Sequence, residues 1–202
     1  MIAILDYEMG NLRSVSKALE TVGGVCQITR DPEVVARAEK LVVPGVGAFR
    51  DCMAHLEEFN LRQSIVDFIA KGRPYLGICL GMQILMELST EGGEFPGLGI
   101  YSGKVVRFAP ELQLKVPHMG WNQLHVKKDS KLLSGLPDHS FVYFVHSYYV
   151  AGAKKKISAA TTDYGIEFTS CIEQDNVYAV QFHPEKSQKV GLKILENFVK
   201  LT

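Results

Sequence analysis

Short apolar runs alternate with stretches of helical spacing through the first half of this chain. Ile2 to Leu5, Leu41 to Val43 and Tyr75 to Ile78 are continuous apolar runs, the pattern of strands covered on both faces. Val25 to Thr29 reads as a further strand. Between the first two strands, Leu12, Val15, Ala18, Leu19 and Val22 recur at helical spacing and stop at Gly23-Gly24. Two more helical stretches lie between Ala48 and Ala70, the second marked by Leu61, Ile65, Phe68 and Ile69. After the run ending at Ile78, the positions Met82, Leu85, Met86 and Leu88 predict one more helix. Strands alternating with helices in this way predict a parallel sheet with right-handed crossovers.

From about Gly97 the texture becomes β-rich. Gly103 to Phe108, Trp121 to Val126, Phe141 to Val150, Ile157 to Thr162, Phe168 to Glu173 and Tyr178 to Phe182 all read as strands, with a hairpin turn at Asp175-Asn176. Gln188 to Lys200 closes the chain as a helix with Ile194, Leu195, Phe198 and Val199 on its apolar face. The expectation is an α/β fold. Its central sheet is mostly parallel and flanked by helices, with antiparallel strands and a small companion sheet added by the C-terminal half. No repeat, low-complexity segment or long linker divides residues 1–202, so a single domain is expected.

Composition narrows the function classes. Lys plus Arg and Asp plus Glu each number 22, for a formal net charge of zero, so the basic excess of a nucleic-acid-binding domain is missing. The one cationic cluster, Lys154-Lys155-Lys156, reads as a solvated turn. No segment approaches the ~20 apolar residues of a membrane span, and the N-terminus lacks the basic flank of a signal peptide. Four scattered cysteines without a C-x-x-C pair fit reduced thiols and a cytoplasmic setting. The few histidines show no ligand cluster, so neither a metal nor an organic cofactor is expected.

Two segments carry chemistry. Gly77-Ile78-Cys79-Leu80-Gly81 has the form G-x-C-x-G at a strand-to-helix turn, a nucleophile elbow with sulfur in place of a serine oxygen. Taken alone it is also compatible with a buried structural cysteine. Gln181-Phe182-His183-Pro184-Glu185 supplies a histidine at a strand's end, where α/β active sites collect, and a carboxylate able to orient it. Together they are the parts of a covalent acyl-transfer site. The turn Pro44-Gly45-Val46-Gly47 lacks the Lys-Ser/Thr of a phosphate loop. It is either a plain tight turn or, with Leu80, a source of N–H donors for an oxyanion.

Those three segments, with Met82-Gln83 after the elbow, resemble the triad (class I) glutamine amidotransferases. Pro117-His118-Met119-Gly120-Trp121-Asn122, Tyr143 to Tyr148 and His183 to Ser187 are more specifically similar to the glutaminase subunits of imidazole glycerol phosphate synthases. The resemblance implies that Cys79 attacks glutamine, His183 shuttles the proton and Glu185 orients His183. It implies oxyanion donors at Gly47 and Leu80, with Val46 as a switchable peptide. Gln83 would contact glutamine, the segment His146-Ser147-Tyr148 would cradle its α-carboxylate, and Glu87, one helical turn beyond Gln83, would take its α-amino group. Met119, Trp121, Asn122 and Lys186 match an interface with a (β/α)₈-barrel cyclase that receives the ammonia in a heterodimer of the histidine pathway. A loop is expected around Trp121. A sugar-pathway paralogue, a free-standing cysteine amidase and a thiol sensor built on Cys79 remain the alternatives.

Overall fold

The computed structural model describes residues 1–201. In chain order the elements are β1 (Ile2–Leu5), α1 (Leu12–Thr21), β2 (Cys26–Thr29), α2 (Pro32–Arg37), β3 (Lys40–Gly45), α3 (Phe49–Glu58), α4 (Leu61–Ala70), β4 (Tyr75–Cys79), α5 (Leu80–Gln83), β5 (Met86–Ser89), β6 (Phe95–Pro96) and β7 (Tyr101–Arg107). The second half adds β8 (His118–Gln123), β9 (His125–Val126), β10 (Phe141–His146), β11 (Tyr148–Ala151), β12 (Ser158–Asp163), β13 (Glu167–Gln174), β14 (Val177–Val180) and α6 (Gln188–Lys200). Single 3₁₀ turns lie at Pro110–Leu112, Lys155–Ile157 and Pro184–Lys186.

An eight-stranded sheet runs in the order β2-β1-β3-β4-β14-β13-β12-β9. Its members from β2 to β14 are parallel, and β13, β12 and β9 extend it antiparallel. A four-stranded sheet, β11-β7-β5-β6, and the β10-β8 pair form the smaller β layer. The predicted α/β architecture, mostly parallel with an antiparallel extension and companion strands, is therefore the one observed. Alternation along the parallel strands sorts the core onto two faces. Leu5, Leu41 and Val43 pack with Phe49, Leu56, Ile65 and Phe68 of α3 and α4. Ile4, Val42 and Leu76 pack with Val15 and Leu19 of α1 and with Ile194, Leu195 and Phe198 of α6.

Several expectations need correction. The helix after Cys79 stops at Gln83; Met86–Ser89 is instead strand β5, hydrogen-bonded to β6 and β7. The stretch Phe141 to Val150 is two strands, parted at Ser147, which pair with different partners, β8 and β7. Met119 to Asn122 is not a loop: it lies within β8, in register with β10. Helix α2 adds to the expected elements; Asp31 accepts from Glu33 N and Pro32 takes the first helical position, a normal start signal.

The C-terminal ends of β3 and β4 lie side by side, with Gly45 opposite Cys79. The packing there leaves no room for side chains. A Cβ at Gly81 would overlap the Val43 carbonyl oxygen, and one at Gly77 would overlap the Gly81 carbonyl. Gly77→Ala and Gly81→Ala are each expected to cost about 3 kcal/mol in urea unfolding, at the upper end for overpacking. A loss below about 1 kcal/mol would show that this turn yields easily.

Candidate active site

Cys79 is the last residue of β4 and caps the start of α5, with φ 54° and ψ −104°. A positive φ at a residue with a Cβ is strained and persists only where surrounding packing enforces it. The elbow expected from G-x-C-x-G is thus present. The helix behind it is a single turn of four residues, too short for its dipole to act strongly on the thiol. Cys79 is nearly buried and its Sγ accepts from Gln181 Nε2 at 3.5 Å.

β14 runs parallel to β4, and the chain leaving it brings His183 to the same edge. His183 Nδ1 lies 2.8 Å from Glu185 Oε1, and both side chains are almost wholly buried. A carboxylate only accepts, so Nδ1 carries the proton. Nε2 makes no hydrogen bond within the protein. Burial by itself would lower the imidazole, but Cys79 and Glu185 outweigh it and push it up to about 10. The upward direction rests first on the Glu185 contact, since no hydrogen bond yet closes between Nε2 and the sulfur. An orienting carboxylate, an imidazole with one uncommitted nitrogen and a strained thiol can together perform nucleophilic acyl transfer.

An open pocket of about 370 Å³ adjoins the sulfur. Val46, Gly47, Cys79 and Leu80 form one wall, and Gln83, Ser147 and Tyr148 belong to the others, so all these predicted residues meet in one place. His183 and Glu185 face a smaller adjoining cleft shared with Val46 and Lys186. Gln83 Nε2 donates to the Tyr148 carbonyl at 3.0 Å and to Gln181 Oε1 at 3.1 Å. Gly47 has φ 109°, a conformation reserved for glycine, and exposed Val46 precedes it.

Glu87 does not join this pocket. With β5 in place of a helix it is exposed, and its carboxylate accepts from Gly103 N at 3.2 Å. The acidic residue that lines the pocket is Glu91, held by Phe49 N, which donates to its Oε2 at 2.8 Å at the start of α3. No local motif marks Glu91. Only the turn after β5 brings it back beside Gly47.

Met119 and Trp121 are exposed on one face of β8, Trp121 meets Tyr143 edge-on, and Lys186 Nζ stands 5.9 Å over the Tyr143 ring. Asn122 alternates to the opposite face, where its amide donates to Asp163 O at 2.8 Å. The expected lack of a metal-ligand cluster is also corrected. His125, Asp138 and His139 bring three potential ligand atoms within 4.8 Å of one another. Their groups serve the fold: Asp138 accepts from Val126 N at 2.9 Å and pairs with His139 at 3.3 Å.

A family model for class-I glutamine amidotransferases matches residues 3–201, and the chain belongs to that family. Its curated relatives are narrower in kind. It is 53% identical over 203 residues to the imidazole glycerol phosphate synthase subunit HisH of Syntrophotalea carbinolica, covering 98% of each chain. It is 56% identical over 196 residues to HisH of Aquifex aeolicus, covering 96% of this chain and 94% of that one. Solved structures share the fold at lower identity. A glutamine amidotransferase matches with a TM-score of 0.76 at 20% identity over 99% of both chains. PurLQS from Thermotoga maritima matches with a TM-score of 0.75 at 16%, over 98% of this chain and 96% of that one. Among the described residues no helix is long and apolar enough to cross a membrane.

The pocket's far wall carries a pH dependence. Burial pushes His118 down to about 4 and His146 down to about 3. Both lie below the ordinary histidine value near 6.5, so as pH falls protons bind the unfolded chain first. The stability that rests on these two rings staying neutral is full above pH 6.5 and is lost progressively between 6.5 and about 3. The expected slope approaches about 2.7 kcal/mol per pH unit, one proton taken up by each of the two rings on unfolding. A melting temperature flat across that window would contradict it.

Proposed function

We propose that residues 1–202 form one amidotransferase domain that hydrolyses glutamine to glutamate and ammonia and passes the ammonia to a separate cyclase subunit. The observation that carries this reading is the convergence of Cys79, the His183–Glu185 pair and an open pocket at the ends of β4 and β14. Glutamine lies with its side-chain amide at the sulfur. Glu91 takes the α-ammonium in place of Glu87, and the segment Ser147-Tyr148 takes the α-carboxylate end. Both donors of Gln83 Nε2 are spent on Tyr148 O and Gln181, which leaves its Oε1 to the ligand.

His183 Nε2 holds the proton taken from the thiol, as the imidazolium–thiolate pair that its raised basicity favours, and the sulfur attacks the amide carbon. The carbonyl oxygen becomes an oxyanion held by N–H groups of Leu80 and Gly47, worth about 3 kcal/mol for each donor. The Leu80 N–H, in the first turn of α5, has no intrahelical acceptor to compete for it. Val46, exposed at the pocket mouth, is the peptide whose orientation switches the oxyanion site. His183 then gives its proton to the departing nitrogen and ammonia leaves a γ-glutamyl thioester. A water deprotonated by the same imidazole releases glutamate.

The partner is a (β/α)₈-barrel cyclase that uses ammonia to make imidazole glycerol phosphate and an aminoimidazole carboxamide ribotide in histidine biosynthesis. The names and coverage of the relatives support this choice. Met119, Trp121 and Lys186, exposed together beside the pocket's rear cleft, are the docking anchors; aromatic anchors of this kind dominate interfaces. Asn122 serves that interface from the inner face of the same strand. The enzyme works as a heterodimer in the cytoplasm, without a cofactor.

Cys79→Ala is expected to lower glutamine hydrolysis by about three orders of magnitude or more, as removal of a triad nucleophile does, with an unchanged melting temperature. Full activity in that variant would sink the mechanism. Glu91→Gln is expected to raise KM for glutamine about tenfold or more, the loss of a charge-assisted contact, while Glu87→Gln leaves it near the parent value. The reverse ranking would restore Glu87 to the site. Hydrolysis should rise strongly when the ligand-loaded cyclase of the same source is added, and no response would point to another acceptor.

A further inference from the structure

A hydrogen-bonded path runs from the strand that carries Met119 and Trp121 to the sulfur of Cys79, and each link has a forced direction. A carbonyl oxygen only accepts. The Tyr148 carbonyl lies 2.9 Å from His146 Nδ1, so that nitrogen carries the proton and Nε2 of the neutral ring is bare. His146 Nε2 lies 2.9 Å from His118 Nδ1, which must therefore donate. His118 Nε2 is then an acceptor, and Asn122 Nδ2 donates to it at 3.2 Å. The Asn122 amide is fixed independently: Nδ2 also donates to Asp163 O, and Oδ1 accepts from Gln123 N at 2.8 Å. Both imidazoles are buried, and His118 is stacked between Phe144 and Tyr164.

The inner half continues from the same carbonyl. Tyr148 O also accepts from Gln83 Nε2, which orients that amide, and Gln83 Nε2 donates to Gln181 Oε1. With its oxygen so engaged, the fully buried Gln181 presents Nε2 to Cys79 Sγ at 3.5 Å. The opposite amide orientation would set an oxygen lone pair against the sulfur and oppose thiolate formation.

We propose that Gln181 is a further catalytic residue, donating to the Cys79 thiolate. Asn122, His118, His146 and Gln83 are positioning residues that hold it donor-first. The proposal rests on the reading of Cys79 as a reactive thiol, and it deepens that reading. It needs neither glutamine nor the cyclase. Anything that shifts β8 from its Met119–Trp121 face would be felt at the sulfur through these bonds, because ordered buried chains transmit a lost link as a cost to every member.

The test is alkylation of Cys79 by iodoacetamide at fixed neutral pH, mapped by mass spectrometry so that half-exposed Cys26 is counted separately. Gln181→Glu is expected to slow alkylation about tenfold, more than one neutral hydrogen bond, because it replaces the donor with a charge. His118→Phe keeps the ring stacking and removes both hydrogen bonds; a two- to fivefold slowing is expected, about the worth of one ordinary link. Asn122→Ala, which cuts the path at its half-buried outer end, should act in the same direction if His118→Phe does not fold. In the unsubstituted protein, ¹⁵N spectra should show His118 and His146 protonated at Nδ1 alone. Parent-like alkylation in folded Gln181→Glu overturns the catalytic assignment, and parent-like alkylation in both outer variants overturns the coupling. A proton on His146 Nε2 overturns the direction. If the parent's Cys79 alkylates no faster than a simple thiol, the underlying reading of a reactive cysteine fails instead.

Discussion

Everything at this site depends on how closely α5 can be pressed against β3 and β4. Gly81 lies where any side chain would strike the Val43 carbonyl, and Gly45 lies where one would strike Tyr7 Oη and Leu80. Tyr75 Oη donates to the Gly81 carbonyl at 2.7 Å and Tyr7 Oη to the Pro44 carbonyl at 2.6 Å, so two buried phenols clamp the same turns. That compression forces the positive φ at Cys79 and brings the Gly45–Gly47 turn against Leu80. Cys79 and the backbone N–H groups of Gly47 and Leu80 are consequently brought together by one packing constraint. The strain stored at Cys79 is offset by burial of the apolar faces of β3 and β4 around it.

The two halves of the chain then divide the work. The parallel half supplies the sulfur and the glycine-rich turn, and the start of its α3 holds Glu91, an acidic residue of the pocket wall that follows β5. The β-rich half supplies His183 and Glu185 past β14 and the Ser147–Tyr148 wall between β10 and β11. β14 joins them by pairing in parallel with β4, so the Cys79–His183 relation is set by sheet register rather than by loops. Gln181, one residue past β14, is carried to the sulfur by the same register. Sites built on strand ends in this way keep their geometry while the surrounding loops vary.

The parallel sheet was legible because doubly covered strands must be apolar throughout, and Ile2–Leu5, Leu41–Val43 and Tyr75–Ile78 are. Cys79, His183 and Glu185 were legible as a candidate set because a strained elbow needs flanking glycines and an oriented base needs a nearby carboxylate. What escaped was set by long-range pairing. Met82, Leu85, Met86 and Leu88 fit a helical stripe, yet β7 claims Met86–Ser89 as a strand, and this moved the acidic pocket residue from Glu87 to Glu91. Met119–Asn122 read as a loop from its proline and glycine, but the β10 register makes it a strand. The contact between His118 and His146 and that between Gln181 and Cys79 had no local signature, because they join positions 28 and 102 apart.

The central claim is that this compressed turn makes Cys79 the covalent nucleophile toward glutamine. Its most direct test is reaction with a glutamine analogue that carries an electrophilic carbon at the amide position, followed by peptide mass mapping. One equivalent on Cys79, blocked by excess glutamine, with Cys26, Cys52 and Cys171 unlabelled, is the predicted result. Labelling spread over other cysteines, or unaffected by glutamine, would contradict it.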